Sequence, residues 1–217
     1  MPVEIKSMGI SVPIISRGIN KHEPIRQSMA TLDGRSLDGE NLYAHELVIV
    51  GSNNAGPGFR HLPVGTDLAT TGNALKDYVN DRGANISETG ADAIAPALDF
   101  LRDSFYVVWN GAEHKEMPLV RNTTNLDASH DACFQLKSGH VTRHVMKGIP
   151  ADKLGDVVVE GCLCVFVNNT TGAISIGATG GSPAGVTEFP IKGTMVVSKG
   201  TVTDNAGDTH VVINYVC

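Results

Sequence analysis

Charge is what this chain has least of. Asp, Glu, Lys and Arg make up 18% of its 217 residues, against roughly 25% in soluble globular domains. Two readings fit: an ordinary neutral β-protein, or surface that is buried against other subunits, since interface cores are depleted in charge. The net charge is −6 and the seventeen basic residues are scattered singly. That excludes the basic stripe by which nucleic-acid binders displace counterions from phosphates. Aromatics are 5% with a single Trp, and no basic–aromatic interleaving offers a platform for stacked bases. No stretch reaches the about 18 apolar residues of a membrane helix. Met1 to Lys6 lack the basic region and apolar run of a secretory signal. The expectation is a chain made in the cytosol and kept there until it assembles.

Sequence motifs for chemistry are also missing. The four cysteines, Cys133, Cys162, Cys164 and Cys217, form no Cys-x-x-Cys pair. In a reducing compartment they are most simply buried thiols. Cys162 and Cys164 fall on one face of a strand, with Leu163, Val165 and Val167 on the other. A terminal Cys217 is reactive if exposed, and it more simply finishes the last strand. The triplets at Asn85, Asn122, Asn168 and Asn169 match glycosylation acceptors, but they carry little weight without a secretory signal. There is no Gly-x-Ser-x-Gly elbow. Ser129-His130-Asp131 puts three triad residue types side by side, yet such triads are assembled from distant positions. Gly51 to Gly58 follows a strand as phosphate loops do, but lacks the Gly-Lys-Ser/Thr ending. Gly177 to Gly185 has no helix after it. Both read as flexible connections. No catalytic residue and no cofactor are expected.

The best metal set is Asp127, His130, Asp131, His140 and His144, whose side chains suit zinc. His140 and His144 share a strand face, but at strand rise their Cα atoms lie about 13 Å apart. They reach one ion only if the segment is bent or helical, and the alternation of Val141, Thr142 and Val145 favours strand. Surface histidines are the simpler account, and no metal is expected.

What is present is a series of short β-branched runs between Gly, Asn and Asp clusters, and 41% hydrophobic residues to build a core. Such runs predict antiparallel sheet. Residues 1–42 are cut by Gly18, Pro24, Gly34 and Gly39. An arm wrapping a neighbour and a flexible tail both fit them, and Pro13 confines Ile10 to Ile15 to an edge strand. His45 to Gly51 predicts a strand and Ser52 to Gly65 a loop. Asp67 to Asn80 has helical spacing through Leu68, Leu75, Tyr78 and Val79, with Thr66 or Asp67 as cap and Gly83 as stop. A second helical piece runs from about Glu88 to Asp103, with its stable part starting near Pro96. Strands are then expected at Phe105 to Gly111, Met117 to Arg121, Ala132 to Leu136 and His140 to Met146. Alternation assigns Phe105, Val107 and Trp109 to the core face. Turns are expected at Lys137 to Gly139 and Lys147 to Pro150.

The last sixty or so residues have the clearest cadence. Val157 to Val159, Leu163 to Val167, Ile174 to Ile176, Phe189 to Val197 and Val211 to Val216 are separated by turns at Asn168 to Gly172 and Asp204 to Asp208. The fold class expected is mainly β with a minor α part. It is an antiparallel β-sandwich or barrel, with one or two short helices inserted and an extended N-terminal arm. Residues 1–42 form the arm and 43–217 a β-rich domain with a helical insertion at about 66–103.

One stretch, Met117 to Cys217, resembles the small β-domains of tailed-bacteriophage structural proteins, above all capsid decoration (cement) proteins. The residues that carry the likeness are Pro118 to Asn122, Leu154 to Gly161, Gly172 to Gly177 and Gly193 to Val197. The resemblance implies a non-enzymatic virion protein that binds the major capsid protein and copies of itself. Charge and hydropathy add the expectation of no nucleic acid and no membrane among its partners, and the lack of reactive constellations speaks against a small-molecule ligand. Alternatives are a tail-tube, neck or other virion assembly protein, or, in another class, a soluble β-sandwich hydrolase or carbohydrate-binding module. Residues 1–42 and the loops around Gly51 to Gly65 are the expected partner contacts.

Overall fold

The computed structural model describes residues 13–15, 25–26, 47–53, 56–108, 132–135, 140–203 and 207–217. Its described part is mainly β, with three antiparallel sheets and two α-helices. The strands are β1 (Pro13–Ile15), β2 (Ile25–Arg26), β3 (Leu47–Asn53), β4 (Gly56–His61), β5 (Phe105–Val108), β6 (Ala132–Gln135), β7 (His140–Pro150), β8 (Leu163–Asn168), β9 (Ile174–Ala178), β10 (Val186–Pro190), β11 (Met195–Thr203) and β12 (Thr209–Val216). They form a five-stranded sheet in the order β2-β6-β5-β3-β4, a four-stranded sheet β1-β7-β12-β11 and a three-stranded sheet β10-β8-β9.

Helix α1 (Leu68–Asn80) follows from its sequence. Thr71, Gly72, Leu75, Tyr78 and Val79 are buried and Leu68 is half-buried, a stripe with helical period. Asp67 is the cap: its Oδ1 accepts from the Thr70 amide at 2.7 Å. Bonds from the Thr70 amide and hydroxyl hold its carboxyl below the usual range. Beyond the C-cap Asp81, Gly83 adopts φ +90°, as expected of a stop. Helix α2 (Ile94–Leu101) buries Ile94, Ala97, Leu98 and Leu101 at i, i+3, i+4 and i+7. Pro96 sits in its first turn, where a missing N–H costs nothing. A 3-10 helix, Gly90–Ala93, leads into it.

Strand β8 explains why the C-terminal run is so apolar. It lies between β10 and β9, and Leu163 to Val167 are all buried, so both faces need apolar side chains. Register puts Leu163, Val165 and Val167 with Ala178, Ile176 and Ile174 on one face. Cys164 and Phe166 share the other with Gly177 and Ser175. The Phe166 ring lies across Gly177, where a Cβ would stand 2.3 Å from Phe166 Cε2. A side chain at that point would have to push the ring aside. One apolar cluster runs through all three sheets and both helices, including Ile49, Leu75, Leu98, Phe105, Met146, Phe166 and Tyr215. Each fully buried side chain of this size contributes about 1.5–3 kcal/mol.

Several expectations are corrected. Gly56 to His61 is not loop but strand β4, paired with β3 so that Pro57 faces Ser52. Proline is tolerated because β4 is at the sheet's edge among the described strands. Lys147 to Pro150 is not a turn but the end of β7. There β12 skips from Met146 to Pro150 in register, so the turn-forming residues make a bulge. Phe189 to Val197 is two strands, not one, broken at Lys192 and Gly193. Val157 to Val159 is not a strand: it follows a 3-10 helix, Ala151–Gly155, and enters a turn. Tyr106 is buried as well as Phe105, and packs on Phe59 with ring centroids 5.4 Å apart. Both faces of β5 are therefore covered at that point. Strand β1 is an edge strand, as Pro13 dictates. Through β1 and β2 the N-terminal segment pairs with β7 and β6; the rest of residues 1–42 lies outside the described residues. So do Met117 to Arg121, Trp109 and the 204–206 turn tip.

Candidate functional site

The turn after the 3-10 helix is built by tertiary bonds. Lys199, on β11, donates from Nζ to the carbonyl of Val157 at 2.7 Å and of Gly155 at 3.3 Å. The Val158 amide donates to Thr179 O at 2.9 Å. The Gly161 amide closes onto Val158 O at 3.1 Å. Within that turn Glu160 has φ +71°, the left-handed region that a non-glycine residue occupies at a cost. The turn is then sewn to the sheet edge: Glu160 N donates to Val196 O and Val196 N to Gly161 O, each at 2.7 Å.

Those bonds bring residues 158–161 alongside residues 195–197. Val196 points into the core. Val158, Val159, Met195 and Val197 point out, at 48%, 41%, 42% and 39% exposure. Four large apolar side chains are thus exposed on the 158–161 turn and on the start of the strand it bonds to. Among the described residues β11 is one outer strand of its sheet and β1 is the other. Its one basic residue, Lys199, is turned back onto the 155–157 carbonyls. Beyond Val196, β11 runs on to Thr203, and among the described residues it pairs with β12 alone. An outer strand of this length presents unpaired amides and carbonyls to an incoming partner.

Reading by pattern missed this surface. By its β-branched composition the valine triplet reads as a short strand. Its brevity between Gly155 and Gly161 was the only signal that it is a turn.

The residues singled out for chemistry fall elsewhere. Asp127, Ser129, His130 and Asp131 lie outside the described residues. His140 opens β7 opposite Ile15. His144 is not a surface histidine: it is 1% exposed and stacks edge-on to Tyr215, centroids 6.3 Å apart. Among the described residues no group of three His, Cys, Asp or Glu side chains is placed to hold a metal ion. Cys164 is buried, and Cys162 and Cys217 are partly so. Cys164 Sγ lies 3.3 Å from Thr179 Oγ1. Burial pushes the Cys164 thiol up to about 11 against the lowering effect of Thr179, while Glu188 and Cys162 add to the rise. Burial alone pushes Cys217 up to about 12. These thiols are packed as small apolar groups, and burial disfavours their thiolates. The Gly177 to Gly185 segment is pinned rather than flexible. Glu188 accepts from the Gly180 amide at 2.9 and 3.2 Å and from the Ser182 amide at 3.1 Å.

No family model matches the chain, and neither does any curated protein or solved structure. No helix among the described residues is long and apolar enough to cross a membrane.

Proposed function

We propose that the chain is a non-enzymatic structural protein of a virion, of the capsid-decoration kind, which attaches to the major capsid protein and to copies of itself. The observation that carries this reading is the exposure of Val158, Val159, Met195 and Val197 on a turn and the outer strand it bonds to. Monomeric proteins expose single apolar residues everywhere, but several of them on one turn and the outer strand it bonds to suit a contact surface. The low charge content of the sequence supports the same reading, as does the likeness of its C-terminal half to decoration domains. Repeated attachment over a lattice converts weak single contacts into firm retention.

The test is co-sedimentation of the purified chain with empty cognate shells, alongside its mass by light scattering. Wild type is expected to pellet with shells. The double variant Val158→Asp, Val197→Asp is expected to remain in the supernatant while keeping its circular dichroism spectrum and melting temperature. Equal pelleting of both overturns the role of these residues. Closed rings formed without shells favour the tail-tube or neck reading instead.

A further inference from the structure

We draw no further inference here: the strongest candidate, the partly buried Cys164–Thr179–Glu188 cluster beside the three-stranded sheet, has its thiol, hydroxyl and carboxylate bonded to one another or to the backbone, which leaves no group aimed at a ligand.

Discussion

Thr71 of α1 and Gly172 of the β8–β9 turn are joined by a buried hydrogen bond across the core. The Thr71 hydroxyl donates to Gly172 O at 3.2 Å and accepts from the Gly65 amide at 2.9 Å. Leu68 N also reaches Asn169 O at 3.4 Å. The helix start, the loop before it and the hairpin turn therefore form one unit. Gly172 has φ +69°, and a Cβ there would stand 2.2 Å from Thr71 Oγ1 and 2.4 Å from Gly65 O. Gly172→Ala is expected to destabilise the fold by about 2–3 kcal/mol through overpacking and backbone strain. Thr71→Val, which keeps the shape and leaves two backbone groups unpaired, should cost about 1–3 kcal/mol. Urea unfolding measures both. A Gly172→Ala variant as stable as wild type would refute the close approach.

Glu160 presents the opposite case. Its φ of +71° is one that glycine adopts freely, and its side chain is exposed. Glu160→Gly should therefore stabilise the protein, by about 0.5–1 kcal/mol after the added flexibility of the unfolded chain is discounted. A rise in urea midpoint is expected. A fall would show that the carboxylate makes a stabilising contact.

Glu188 binds the backbone amides of Gly180 and Ser182 with both carboxylate oxygens between them. Replacing it by Ala leaves those donors without their acceptor, a loss of about 1–3 kcal/mol. Hydrogen exchange of the two amides should accelerate in Glu188→Ala more than at Ile213 or Tyr215. Unchanged protection at Gly180 and Ser182 would mean the loop is held by other bonds.

Folding raises the proton affinity of both Cys164 and Cys217. The folded state therefore keeps protons that the unfolded chain has released. The stability from these groups is fully present below about pH 9 and is lost as pH climbs toward 11 for Cys164 and 12 for Cys217. Thermal melts from pH 8 to 11 should show a decline that weakens in Cys164→Ala. At pH 8, iodoacetamide should leave Cys164 and Cys217 unlabelled in the native protein and label both in urea, as read by peptide mass spectrometry. Native labelling at the denatured rate would count against burial.

Much of the fold is legible in the sequence where local and tertiary preferences agree. The α1 stripe, the Asp67 cap and the β8–β9 turn are of this kind. In that turn Asn168 Oδ1 accepts from the Thr170 and Thr171 amides at 2.9 and 3.0 Å, a local bond that Asn makes wherever it begins a turn. The Gly56–His61 strand is not legible, because Gly and Pro signal a loop until a neighbouring strand supplies the pairing. The valine turn is hidden for the same reason. Its shape comes from Lys199, Thr179 and Val196, which lie far away in the chain.

The sequence by itself determined the mainly β class, both helices and the absence of recognisable catalytic motifs, because periodicity, caps and turn residues act within a few positions. Only the tertiary structure decided which valines face solvent, that His144 is enclosed, and which strand is left at the rim of its sheet. Those outcomes depend on hydrogen bonds and packing between residues distant in sequence, and a local pattern holds no record of them.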